Sequence, residues 1–279
     1  MMPKQNPKFP EGINASQEQP LKEFFLLVFG IVFALILFVA CVSYFAQALS
    51  PYIPFSWEKS WATSLTPTTD KIAEDEQTQQ AAEDDLRDLL IKLTPESNPS
   101  EISYQVHLLN DITPNAFATL GGQIFVTTGL IQHIESENGL AMVLAHEMAH
   151  VQHRHPIQSL SRGLIIQLVG MMLFSDSTAG SLLNQAGIMT LLSFNRDMER
   201  EADTSALNTI RHYYGHTQGA DEFFNAMIVE HGDDLNVEFF NTHPHTQSRI
   251  DAIRNYDDTA GELTSLATSL LNIKDNQAN

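Results

Sequence analysis

Two histidines four residues apart, His146 and His150, with Glu147 directly after the first, constrain this chain more than any other feature. Residues at i and i+4 share a helix face, so both imidazoles aim at one point. Glu147 then stands beside whatever ion they hold and reaches a water on it. Two neutral nitrogen ligands and an adjacent carboxylate suit hydrolytic zinc: the metal acidifies the water and the carboxylate takes its proton. The preceding residues 138–145 are compact and apolar, as a buried helix requires. A histidine pair on a solvated helix has no need of such a run. The metal face therefore opens into a cleft floor of low dielectric, where metal and base act most strongly.

A catalytic zinc, one per chain, needs three protein ligands and one open position. In residues 195–203, Glu199 and Asp203 share a helix face at i,i+4 spacing. Glu199 is the candidate third ligand and Asp203 the candidate partner that orients a ligand histidine. A helix face laced by salt bridges explains the same spacing, and it suits Asp197 and Glu201 better. Arg249, in the amphipathic run 249–253, reads as a brace on a carboxylate of the 199–203 helix, with a plain surface arginine as the alternative. Residues 115–119 and 123–127 read as strands joined through Gly121 and Gly122.

At this point the chain resembles the membrane-associated HExxH zinc metallopeptidases that include the CAAX prenyl protease, HtpX, the mitochondrial OMA-type proteases and the periplasmic BepA and LoiP. Four separated segments carry the resemblance, in family order: residues 115–130, 146–155, 196–203 and 242–250. The resemblance places the metal-binding glutamate on Glu199. It brings His243, beside Pro244, to the active site, either stabilising the reacting oxyanion or capping the metal at rest. It also implies that the second strand, with Gln123, Ile124, Phe125 and Val126, edges the cleft and aligns an extended peptide by strand addition. The same alternation suits any half-buried sheet. His153, His155 and His245 then read as supporting or exposed residues, while His107, His133, His212, His216 and His231 lack ligand spacing.

Residues 24–48 carry no charge, and at about 1.5 Å per residue such a run exceeds the ~30 Å hydrocarbon core. It reads as a transmembrane anchor. A cleavable leader has a shorter apolar core, and the segment 37–41 ending at Cys41 only weakly echoes a lipidation site. Lys4, Lys8 and Lys22 precede the span, whereas Lys59 alone closely follows it before the chain turns acidic. The positive-inside rule then leaves residues 1–23 in the cytoplasm and the catalytic domain outside. By resemblance that means the bacterial inner membrane, single pass, facing the periplasm. A net charge of −19 argues against nucleic acid as a partner.

Residues 49–69 read as a juxtamembrane linker whose Trp57 and Trp61 suit the membrane interface. Residues 70–279 form the metallopeptidase domain. In it, Leu86, Leu89, Leu90 and Leu93 mark an amphipathic helix with an acidic outer face. The apolar stretches 163–174 and 179–194 read as helices packed over the cleft. The chain has no room for the helical-repeat domain of BepA-type relatives. The expected fold class is α+β: a zincin-like domain, mostly helical with a small sheet, on one N-terminal transmembrane helix. The expected function is zinc-dependent cleavage of misfolded or misassembled envelope proteins, with polypeptides as partners and Glu147 as general base. The alternatives are a zinc-binding chaperone or assembly factor whose site is capped by His243, and a metal-independent scaffold.

Overall fold

Helical periodicity dominates the chain, and it produces helices packed around one small sheet. The computed structural model describes residues 19–49, 52–65, 76–95, 102–163, 193–231, 243, 247–257 and 259–277. The chain divides into two compact units, residues 1–42 and 43–279. Helix α1 (Pro20–Leu49) begins ahead of the uncharged run, taking in Lys22 and Glu23. Among the described residues it is the one helix long and apolar enough to cross a membrane, its most apolar 18-residue window reaching a mean hydropathy of 3.2.

In the second unit the order is α2 (Phe55–Leu65), α3 (Glu76–Leu93), β1 (Gln105–Leu109), β2 (Ala116–Ala118), β3 (Gln123–Thr127), α4 (Thr128–His133) and α5 (Glu137–Gln152). Then come α6 (Arg196–Tyr214), α7 (Glu222–His231), α8 (Gln247–Arg254) and α9 (Thr268–Gln277). Leu86, Leu89, Leu90 and Leu93 of α3 are all buried in the main core, as their spacing predicts. Each contributes about 1.5–3 kcal/mol of hydrophobic stabilisation. Asp84 and Asp88 of α3 face outward, whereas Glu83 Oε1 accepts the Leu108 N–H at 3.2 Å and Asp85 accepts the Ser269 hydroxyl. The stretches 164–192 and residues 244–246, which include His245, lie outside the described residues.

The sheet overturns one expectation. Its strand order is β1-β3-β2, with β3 parallel to β1 and antiparallel to β2. Gln123, Ile124, Phe125 and Val126 therefore lie on the central strand, with both backbone edges already bonded. No peptide can add to them. The turn between β2 and β3 is tight: Gly121 and Gly122 have φ of 70° and 76°, and a Cβ on Gly122 would fall 2.0 Å from the Ser103 carbonyl oxygen. That folds β3 back against β2, while β1 pairs on its other side.

A second difference concerns residues 49–69. Part of this segment is not a linker, because α2 buries Phe55, Glu58 and Ala62 against the catalytic unit. Trp57 and Trp61 stay exposed on its other face. The apolar contacts of α3 set the stability of the unit. Leu86→Ala is expected to cost about 2–5 kcal/mol in urea unfolding of the full chain, whereas Arg87→Ala on the exposed face stays within about 0.5 kcal/mol.

Candidate metal centre

Helix α5 can carry charged chemistry through the core because its ends are tied and its flanks are apolar. Ser136 caps it by accepting the Gly139 N–H, and Glu222 of α7 in turn accepts the Ser136 N–H at 3.0 Å. Every residue from Asn138 to Val151 is buried. Helix α6 runs against it, capped by Asn195, whose side chain accepts the N–H groups of Asp197 and Met198. The α6 stripe Met198, Glu199, Ala202, Asp203, Ala206, Leu207 and Ile210 is buried. Two helical periodicities thus bring the His146–His150 face onto the Glu199–Asp203 face.

The side chains meet closely. His146 Nε2 lies 3.4 Å from Glu199 Oε2, and His150 Nε2 lies 3.5 Å from Glu199 Oε1. The two histidine Nε2 atoms are 3.0 Å apart. His146 Nδ1 is 3.0 Å from Asp203 Oδ1. Arg249 of α8 holds Asp203 with a fork, Nε to Oδ2 at 2.7 Å and Nη2 to Oδ1 at 2.8 Å. Its Nη1 meets Glu199 Oε2 at 2.7 Å. His243 enters from the far end of the chain, with Nδ1 3.2 Å from Glu199 Oε1 and Nε2 3.6 Å from Glu147 Oε1. One ligand atom each from His146, His150, Glu199 and His243 lies within 4.8 Å of the others, and all four residues are buried.

Electrostatics divides the carboxylates. Burial pushes the Glu147 pKa up, against the opposing pull of His243 and His146 and the Ala118 N–H. A raised carboxylate pKa suits a general base. Burial also opposes ionisation of Asp203, yet the hydrogen bonds from Arg249 and His146 hold it below the usual range. Burial disfavours charge on His146, but Asp203 and Glu199 together raise its pKa to about 10. Burial and the neighbouring His146 keep His150 well below the normal histidine value.

Phe194 has no role in the sequence reading, and His153 and His155 read there only as supporting or exposed. Phe194 stacks on the His150 ring at 3.9 Å between centroids. His155 Nδ1 sits 2.9 Å from His150 Nδ1, and its Nε2 is 3.3 Å from Glu201 Oε2. His153 Nδ1 meets the same carboxylate at 3.2 Å. Glu201 does lie on a half-exposed, salt-bridged helix face, yet it reaches the centre through His155. The signal lay in the histidine-rich 150–155 segment, but its turn geometry was not readable from spacing.

The donor set fits a bound metal. Three imidazoles and one carboxylate converge in a buried space, the donor chemistry of zinc. Both carboxylate oxygens of Glu147 are buried and, among the described residues, lack a hydrogen-bond partner. A buried carboxylate left this way is costly unless a further polar group completes it. The Arg249 fork generates a direct test on metal-free protein. Arg249→Ala strands two buried carboxylates and is expected to cost about 3–5 kcal/mol in urea unfolding with chelator present. Arg249→Lys keeps the charge but not the fork, and should recover only part.

Peptidase family M48 is matched by residues 79–257. The chain is 30% identical over 171 residues to the mitochondrial metalloendopeptidase OMA1 of Saccharomyces cerevisiae, covering 58% of this chain and 49% of that one. It is 31% identical over 173 residues to its namesake in Schizosaccharomyces pombe, covering 60% and 51%. The beta-barrel assembly-enhancing protease of Escherichia coli is 27% identical over 187 residues, covering 61% and 38%. The chain thus spans about half the length of the OMA1 relatives it matches. The family match begins within α3, ends just past α8 and takes in more than half of the chain, which therefore belongs to peptidase family M48.

Proposed function

We propose that this chain is a zinc-dependent endopeptidase, anchored in a membrane by α1, that cleaves misfolded or misassembled envelope proteins. The observation that carries the reading is the buried, unpartnered Glu147 carboxylate beside four converging donors. His146, His150 and Glu199 are the ligands of the working state. When bound, zinc polarises the scissile carbonyl and acidifies a water. Glu147 takes the proton of the attacking water and delivers it to the leaving amine. Asp203 accepts the His146 Nδ1–H and so keeps Nε2 free to ligate. Arg249 fixes Asp203 and Glu199 together. His155 accepts the His150 Nδ1–H and passes the orientation to Glu201.

Substrate alignment belongs to β2 rather than β3. Thr119 N–H donates to Gln123 and Thr127 N–H donates to Asn115, so odd-numbered positions of this strand bond to β3. In an antiparallel pair the even positions, Ala116 and Ala118, turn their main-chain groups outward. Among the described residues no strand covers that outer edge, and the Ala118 backbone lies near Glu147. An extended peptide added there lies along the reacting carboxylate.

The position of His243 favours a second state of the same enzyme. Its Nδ1 sits among the ligand atoms, where it caps the open position at rest; a permanently capped site would serve a chaperone or assembly factor instead. The envelope substrates and the periplasmic, bacterial inner-membrane location rest on the resemblance to the beta-barrel assembly-enhancing protease, on α1 and on the lysines before it.

Casein digestion by the detergent-purified full chain, with zinc assayed in parallel, tests the reading. Glu147→Gln is expected to retain zinc and lose at least about 10²-fold in rate. His243→Ala should cut faster than wild type if it caps; loss of activity would move His243 into the reaction. Zinc-loaded wild type that never cuts would favour the chaperone reading.

The proton balance gives an independent check. With a pKa of about 10 in the metal-free site, His146 is charged at pH 7, while His150 is neutral. Zinc binding at pH 7 should therefore release about one proton from this pair. Its affinity should rise as pH climbs toward 10 and level off above it. Calorimetry in buffers of different ionisation enthalpy reads the proton count.

A further inference from the structure

Helix α2 lies upstream of the residues that match the family, 79–257, yet it is tied to both elements that flank Glu147. Its inner face buries Phe55, Glu58 and Ala62, at the i, i+3 and i+7 spacing of one helix stripe. Glu58 is 2% exposed, and it makes two bonds in different directions. Its Oε1 accepts the Nε–H of Arg154 at 2.9 Å. Its Oε2 accepts the Gly121 N–H of the β2–β3 turn at 3.4 Å.

Arg154 sits two residues beyond α5 and directly before His155, the residue in contact with His150. It adopts φ of 61°, a conformation uncommon outside glycine, and holding it there needs fixed partners. Its backbone bonds stay local, the N–H donating to the Val151 carbonyl and the carbonyl accepting the Gln158 N–H, but the side-chain contacts reach α2 and its entry. Besides Glu58, Arg154 Nη2 donates to the Ile53 carbonyl at 2.7 Å, and the guanidinium lies 5.6 Å from the Phe55 ring centroid. On the other side, a Cβ on Gly121 would stand 2.9 Å from Lys59 Cα, so the turn and α2 touch backbone to backbone. Ala62, Leu120 and Ile157 close a small apolar cluster beneath these bonds.

We propose that α2 is a clamp of the catalytic centre and that Glu58 is its positioning residue. It holds the turn that aims β2 and the exit of the metal-bearing helix in one fixed relation. This rests on the peptidase reading for its catalytic consequence, but the mechanical part stands on its own. In sequence, only residues 50–54 separate α2 from α1. A change that lifts α2 loosens the edge strand and the His155 contact together.

Hydrogen exchange on the full chain in detergent, with and without Glu58→Ala, tests the clamp. The variant is expected to exchange about tenfold faster at residues 118–123 and 153–157, while residues 138–144 stay protected. Zinc content should remain unchanged, and kcat on casein should fall by about tenfold or more with a smaller change in KM. Glu58→Gln leaves one acceptor oxygen for two donors and removes the charge opposite Arg154, so it should show part of both effects; it carries the test alone if Glu58→Ala does not fold. Exchange that rises evenly through 138–144, or stays unchanged at both flanking segments, overturns the clamp. Wild type that exchanges as expected but never cuts defeats the peptidase reading alone.

Discussion

Burying Glu147, Glu199 and Asp203 in one centre carries a desolvation cost that apolar packing alone cannot offset. The Arg249 guanidinium is what makes this tolerable. Its planar fork meets Asp203 with two bonds and Glu199 with a third, a geometry that an ammonium group cannot reproduce. Asp203 then orients His146, and Glu199 stays in place for a metal. The capping of α5 and α6, the leucines of α3 and the close approach of the helices all serve a centre that this one residue keeps electrostatically viable. Glu147 lies outside the Arg249 hydrogen bonds, with His243 Nε2 3.6 Å from its Oε1.

The site is layered around α5. Its C-terminal end is the busiest part, because the chain leaves the helix through a positive-φ arginine and turns His155 back under His150. From one side Phe194 covers the His150 ring; from another, α2 locks the exit in place through Glu58. The edge strand completes the arrangement from the opposite wall. The Glu147 carboxylate, the His150 ring and the β2 edge are therefore set by three different contacts of one helix. That explains why a domain with only three strands among its described residues suffices to hold the geometry.

Much of this was legible in the sequence. The i,i+4 pairs on α5 and α6, the leucine stripe of α3 and the uncharged run of α1 all follow from local periodicity, which depends on residues within a turn or two of each other. For Arg249 the sequence left a brace and a plain surface arginine both open, and the contacts with Asp203 and Glu199 show the brace. The edge strand was not. Residues 115–127 display two strands and a glycine turn, but nothing in them says that β1 pairs beside β3 and leaves β2 outermost. Residues 49–69 misled for a related reason: proline and tryptophan beside an apolar span describe a membrane-proximal linker just as well as a docked helix.

What the sequence determined by itself is the chemistry: two imidazoles and a carboxylate on one helical face, a second carboxylate pair on another, and an apolar segment able to span a membrane. Those features depend on spacing along the chain, and backbone geometry converts spacing directly into direction. What only the tertiary structure decided is adjacency between distant segments. His243 joins the ligand atoms, Glu201 reaches His150 through His155, and Glu58 grips Arg154 across most of a hundred residues of intervening chain. No local pattern encodes such meetings, because they arise from how helices and strands pack once each is formed.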